Sequence, residues 1–448
     1  MSNRGVGDAK PLLTPGDTAD GRLPEGLRPR LKWLRSSRLV RQNLILFAGG
    51  LVAGIGGFVY HAIAGRALGP SLYGDVASII ALYAVFTTPT LILVLVLARY
   101  SATLTASGTT DSVRYLVLRS TQLIMIPSAL IVVASFVLAG PTADFLHLHS
   151  PVPVIWLGIG IAVYWQVGIP RGILQGIQHF SALSANLSLE MIVRCTALAL
   201  LLAAGTGVIG ATVSVLAGVA FAYLIGLYAL RAQLRAGGEK APLRSMVGFS
   251  LIAIAGTLGI MLLYNLDVIL AKHYLSGHDA GIYGSLNKIG TILYFLTLSV
   301  SQVLFPRVVE ALASNNHPGR LLGVSAGLMA MLGAGALLVF GVLPGLVVRL
   351  LFGPAFADAQ NYIFLVGLIG LALSLNNLLV QFCMAARDRW FIPLLAAAVV
   401  MLAVSIATYH GGVSYVVTDV LGTMLALLAA LTVRLLFLLP RLRPVTPL

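Results

Sequence analysis

Twelve apolar stretches, each near twenty residues and divided by short polar connections, constrain this chain most. A helix rises about 1.5 Å per residue, so about 20 residues cross the ~30 Å hydrocarbon layer of a bilayer. No water reaches the backbone there, and an apolar run of that length can satisfy its own N–H and C=O groups only as a helix. The stretches fall at about 43–66, 75–98, 115–139, 152–177, 183–204, 209–230, 247–272, 282–306, 322–343, 360–383, 392–409 and 414–438. The ninth reaches Leu351 if Pro344 and Gly345 only bend it. Hydrophobic residues make up 58% of the chain and charged ones 10%, against about 25% charged in soluble domains. The expected fold class is therefore an all-α polytopic membrane protein with twelve transmembrane helices.

The polar residues give the orientation. Nine bases, from Arg4 to Arg41, precede the first stretch, in a proline- and glycine-rich segment with no apolar periodicity. Residues 1–41 read as a disordered basic tail rather than a cleaved signal. Counting alternate connections, one side carries 21 Lys and Arg, while the other has only Arg66, Lys272 and Arg349 near helix ends. The positive-inside rule puts both termini in the cytoplasm of a cell membrane. The formal charge of +14 is thus a topology signal, and without interleaved aromatics it gives no reason to expect nucleic acid. Cys195 and Cys383 lie far apart inside apolar runs, so no disulfide is expected. His147 and His149 lack metal-site spacing, and His61, His273 and His278 read as interfacial polar residues. Neither a metal nor a cofactor is expected.

The longest basic connection, RAQLRAGGEKAPLRS, divides the stretches six and six. The expected organisation is a bundle at 42–232, a cytoplasmic loop at 233–246, a second bundle at 247–440 and a short tail at 441–448. An internal repeat supports it. HAIAGRALGPSLYGDVASI and ILAKHYLSGHDAGIYGSLNKI each carry a helix end, a glycine-containing turn and a Tyr-Gly pair, Tyr73-Gly74 and Tyr283-Gly284. FLHLHSP after the third stretch is echoed by LLFGPAFADA after the ninth. Repeats related by an axis along the membrane normal place a substrate site between the halves. Gly50 and Gly54 have the spacing of a dimer seam, but packing within a monomer is the expected use.

A charge at mid-bilayer costs about 2.5–3.5 kcal/mol on insertion scales, so it faces protein or a wet cavity. Asn186, Glu190 and Arg194 are spaced four apart on the fifth stretch and share a helix face. Either Glu190 and Arg194 neutralise one another, or Arg194 is shared between Glu190 and an anionic substrate. On the fourth, Tyr164, Gly168, Arg171 and Gln175 form a stripe beside Pro170, and Arg171 has no acid within four residues. The seventh carries Asn265 and Asp267, the eighth Lys288, Thr291, Phe295 and Gln302, and the tenth Ser374, Asn377 and Gln381. Each amide alone reads as a helix-bridging group; stripes on five helices read better as one shared cavity. Its candidates are Arg171, Gln175, Arg194, Lys288, Gln302 and Asn377 for substrate. Glu190 and Asp267, read as the only deep acids, are the candidates for proton or sodium coupling. Near the membrane interior the bases Arg66, Arg119, Arg171, Arg194, Lys272 and Lys288 face the acids Asp75, Glu190 and Asp267. That excess suits a pyrophosphate.

AGRALGPSLYGDVASI, GILQGIQHFSALSANLSLEMIVR, AGIYGSLNKIGTILYFLTLSVSQVLFPR and LLFGPAF, in that order, resemble the polysaccharide-export branch of the multidrug/oligosaccharidyl-lipid/polysaccharide (MOP) flippase superfamily. The resemblance covers about residues 40–440. It implies two six-helix bundles in a V about a central cavity, related by a pseudo-two-fold along the membrane normal. It also implies movement of a polyprenyl-pyrophosphate-linked oligosaccharide between leaflets, without covalent chemistry. Two other readings remain open: a drug or cation antiporter of the same architecture, and a polytopic glycan polymerase or ligase. The second fits poorly with short external connections that carry almost no charge.

Overall fold

The computed structural model describes residues 38–106, 112–235, 250–313 and 319–442. Most of the basic tail, most of the loop at 233–246 and residues 443–448 lie outside the described residues. In chain order the helices are α1 (Arg38–Thr87), α2 (Pro89–Ala106), α3 (Ser112–Val137), α4 (Ala139–Phe145), α5 (Val152–Gly176), α6 (Phe180–Ala203), α7 (Gly207–Ala229) and α8 (Arg231–Arg235). They continue with α9 (Ser250–Tyr274), α10 (Gly277–Ala313), α11 (Gly319–Val342), α12 (Pro344–Leu351), a 3-10 turn (Pro354–Asn361), α13 (Ile363–Ala385), α14 (Phe391–Thr408) and α15 (Val413–Leu438). No strand occurs among the described residues.

Ten stretches are long and apolar enough to cross a membrane, and one of them, Leu44–Ala106, runs for 63 residues. At 1.5 Å per residue that is about 95 Å, too long for a single crossing of ~30 Å. It turns back at Gly69, whose φ of 71° lies in the left-handed region that glycine enters without a Cβ penalty. Pro70 follows, with φ preset for a first helical turn. The connection expected between 66 and 75 is thus a single-residue break. Together with the 37-residue α10, the chain makes the twelve crossings expected. The ninth ends at Val342, and Pro344 opens the separate short helix α12.

The turns at Gly69, 146–151, 204–206, 275–276, 352–361 and 409–412 each follow an odd number of crossings from Arg38, and the face they share is called distal. Asp75 meets His149 there, Phe145 stacks on His273, and Tyr274 stacks on His410. Helices α1 to α7 pack mainly on one another, as do α9 to α15, giving two lobes. Of the ten apolar stretches, Val152–Gly176 (α5) and Ile363–Ala385 (α13), one in each lobe, are the most enclosed. Side chains such as Ile126, Leu130 and Val137 of α3 and Leu338 and Val342 of α11 are exposed, as lipid-facing positions should be. Gly49 and Gly56 bring α1 onto Ser184 and Met191 of α6, whereas Gly50 and Gly54 face open space. Gly49 and Gly56 therefore serve packing within the lobe, whereas the Gly50/Gly54 pair meets nothing there.

The repeat read from the sequence forms the seam between the lobes. A Cβ on Gly281 would overlap the Pro70 carbonyl, and one on Gly74 would sit 3.0 Å from the Gly281 nitrogen. The two Tyr-Gly segments cross backbone to backbone. The second echo is structural as well, since α4 and α12 are short helices in matching connections. Each reaches the other lobe, through Phe145 on His273 and through Phe352 on Phe58 and Tyr73.

Candidate substrate site between the lobes

Two clusters of charge lie inside the N-terminal lobe and along the seam. In the first, Arg171 of α5 pairs with Glu190 of α6, and its Nε donates to Asn186 Oδ1 at 2.8 Å. Asn186 Nδ2 donates in turn to the Ala222 carbonyl of α7 at 2.6 Å. All three side chains are buried. The partner of Glu190 is thus Arg171, not the Arg194 expected from four-residue spacing. Sharing a helix face does not make two groups partners when a guanidinium arrives from the next helix. Gly168 also leaves the expected stripe, because it packs on Thr90 and Leu93 of α2.

In the second cluster, Arg194 makes no ion pair with a carboxylate among the described residues. Its guanidinium lies 4.3 Å from the Tyr60 ring centroid and 5.8 Å from that of Tyr83, and its Nε has no hydrogen-bond partner. Ring faces attract a cation but leave its charge uncancelled. From the other lobe, Lys288 of α10 lies 5.2 Å from the Tyr264 ring centroid, again without an ion pair among the described residues. The Asp267 carboxylate attracts the Lys288 ammonium and Arg194 repels it, and both bases act on His61. His61 is buried rather than interfacial, with its Nδ1 3.0 Å from the Tyr73 hydroxyl.

Asp267 sits beside this cluster in the C-terminal lobe. Its carboxylate accepts from the Tyr283 hydroxyl at 2.5 Å, Asn287 Nδ2 at 3.1 Å and the Val268 amide at 2.8 Å. The repeat tyrosines therefore play matching parts, each reaching back to a titratable group on the preceding crossing, Tyr73 to His61 and Tyr283 to Asp267. Asp267, Tyr283, Asn287 and Tyr264 also line a cavity of about 30 Å³ against α13 and α15. That is room for about one water, and Asn287 Oδ1 nearby has no partner.

Toward the distal face the lobes are closed. Asp75 of α1 pairs with Lys272 of α9 at 2.6 Å. Arg66 donates to the carbonyls of Arg349, at 3.3 Å, and Leu350, the negative end of the α12 dipole. Tyr73 packs edge-on to Phe352 and Phe356, with centroids 5.4 and 5.6 Å away.

Residues 39–312, more than half of the chain, match the family model described as "polysaccharide biosynthesis protein". The chain belongs to this family. Its fold is that of the MOP superfamily. An inward-facing multidrug-resistance MATE transporter of that superfamily matches with a TM-score of 0.73 at 12% identity, covering 90% of this chain and 100% of the other. An outward-facing MATE structure gives 0.58 at 14% identity over 89% and 96%. The lipid II flippase MurJ, in an inward closed conformation, gives 0.64 at 12% identity over 88% and 87%. Among curated proteins none matches.

In this chain, then, the bases read from the sequence separate by partner. Arg171 and Lys272 are neutralised by Glu190 and Asp75, Arg66 caps carbonyls, and Arg119 is exposed beside Gln122. Arg194 and Lys288 are left, one from each lobe. Gln175 is half-buried at the end of α5, Asn377 is buried in α13, and the Gln302 side chain lies outside the described residues. Other amides and hydroxyls of the tenth crossing bridge helices: Ser374 bonds Thr297 and Asn376 bonds the Met424 carbonyl. The sequence reading missed two charges on the twelfth crossing. Arg434 grips Asp388 through two nitrogens at 2.7 and 2.9 Å, and Asp419, half-buried near the distal end of α15, has an unpartnered Oδ2. Tyr60 was equally unmarked, since an aromatic in an apolar run carries no local signal, and Tyr73 was marked only as part of the Tyr-Gly repeat.

Proposed function

We propose that the protein moves a polyprenyl-pyrophosphate-linked oligosaccharide from the cytoplasmic to the outer leaflet by alternating access, for surface polysaccharide synthesis. The observation that carries this reading is the pair Arg194 and Lys288, buried, without a salt bridge among the described residues and contributed by opposite lobes. A pyrophosphate offers each a partner: bidentate oxygens for the guanidinium and a point charge for the ammonium. A headgroup held in a hydrated cleft avoids the cost of desolvating its charge, while its polyprenyl tail stays in the lipid.

The excess of bases near the chain ends makes the proximal face cytoplasmic, so the closed distal face is external. The higher TM-score to an inward-facing transporter than to an outward-facing one agrees with that state. Rocking of residues 40–235 against 245–440 then exchanges access. A headgroup bridging Arg194 and Lys288 draws the proximal halves together and opens the seam. Asp267, which has hydrogen bonds but no salt bridge among the described residues, is better placed than Glu190 to take up a proton or sodium ion. The working unit is the monomer.

Binding tests this reading directly. Purified protein in detergent is titrated with a polyprenyl-pyrophosphate oligosaccharide and observed by native mass spectrometry. Arg194→Ala and Lys288→Ala should each weaken binding at least tenfold, and Arg119→Ala, an exposed base, should not. Wild-type binding by both buried-site variants would remove the assignment.

A further inference from the structure

Asp75 is the acid that holds both lobes at once, and its two oxygens have different partners. Oδ1 meets Lys272 Nζ of the opposite lobe at 2.6 Å, and Oδ2 meets His149 Nδ1 of its own lobe at 3.2 Å. The carboxylate and the ammonium are buried, but the His149 side chain is 76% exposed. We propose that His149 is a proton sensor that releases this latch, so that acid on the distal side favours opening of the distal face. The inference rests on alternating access but on no particular substrate.

Opening must carry Lys272 away with α9, while His149, in the 146–151 connection, stays with Asp75. A carboxylate left without its cation in a poorly solvated seam resists that separation. An imidazolium at His149 supplies the replacement charge. In the closed form this imidazolium would share one carboxylate with the Lys272 ammonium, a like-charge neighbour. In the open form it would have Asp75 to itself. The open form therefore binds the proton more tightly, and by linkage acid shifts the population toward it. The other ionisable groups on the elements packed there do not contact Asp75. Asp144 and His147 are exposed, and the His273 ring stacks between Phe145 and His147, with its Nδ1 2.6 Å from the Phe145 carbonyl oxygen.

The test reads conformation, so it stands or falls separately from the choice of substrate. Spin labels at Ala204→Cys and Tyr409→Cys, on distal turns of opposite lobes, are placed in a Cys195→Ser/Cys383→Ala background. Pulsed dipolar spectroscopy on the full chain in lipid nanodiscs then gives the open fraction from pH 8 to 5.5. Wild type should open several-fold more at pH 5.5 than at pH 8. His149→Ala should stay mainly closed at both ends of the range, whereas His147→Ala and His273→Phe should keep the pH response. Asp75→Asn should be open to a similar extent at every pH. An unchanged pH response in His149→Ala, or none in wild type, would overturn the proposal.

Discussion

At the scale of single residues, function and stability separate by whether a charge has a partner. Arg171 and Glu190 neutralise one another inside the N-terminal lobe, so removing one strands the other. Arg171→Ala should cost about 3–5 kcal/mol, seen as a large fall in thermal midpoint in detergent. Arg171→Met with Glu190→Gln should recover most of it. If the single variant is as stable as wild type, the pair is not structural. Asp388, in the connection before α14, is held below the ordinary carboxylate range chiefly by its hydrogen bonds from Arg434. Its pKa is lower folded than unfolded, so its stabilisation is present above the unfolded value of ~3.9 and disappears as pH falls through the folded one. Asp388→Asn should therefore lower the thermal midpoint at pH 7 and progressively less below pH 4. An equal deficit at both would contradict the assignment.

At the scale of elements, the helices were legible because hydrocarbon imposes one length and one backbone solution on every crossing. The break at Pro344 was legible too, and so was the Tyr-Gly repeat, because both rest on local chemistry. What lay hidden was everything decided between helices. Four-residue spacing pointed Glu190 at Arg194, but Arg171 arrives from α5. His61 looked interfacial near the end of its stretch, yet Tyr73 folds back onto it across Gly69. Arg434 escaped notice because its partner Asp388 lies 46 residues away. The glycines at the seam carry a prediction of their own. Gly281→Ala puts a methyl onto the Pro70 carbonyl and should hold the distal face apart, raising the labelled distance between lobes and abolishing transport. Gly69→Ala forces a Cβ into the left-handed region for about 1–2 kcal/mol, a loss of stability that leaves the seam intact. Equal distances in Gly281→Ala and wild type would show that the crossing is not tight.

At the scale of the whole molecule, the two lobes are bound where they are neutral and poised where they are not. The contacts named along the distal seam satisfy one another: acid with base, guanidinium with carbonyl, ring with ring. Deeper between the lobes, Arg194 and Lys288 add positive charge with no salt-bridge partner among the described residues, Asp267 acting on Lys288 only from beyond ion-pair contact. A phosphorylated lipid would complete them, and a cationic drug would be repelled. The most direct measurement is translocation of a defined polyprenyl-pyrophosphate oligosaccharide across vesicles holding the purified protein, scored by protection from an external glycosidase. The wild-type protein should move it, while Arg194→Ala and Lys288→Ala should insert normally and move it at least tenfold more slowly. Translocation that is absent in wild type, or undiminished in both variants, would contradict the account.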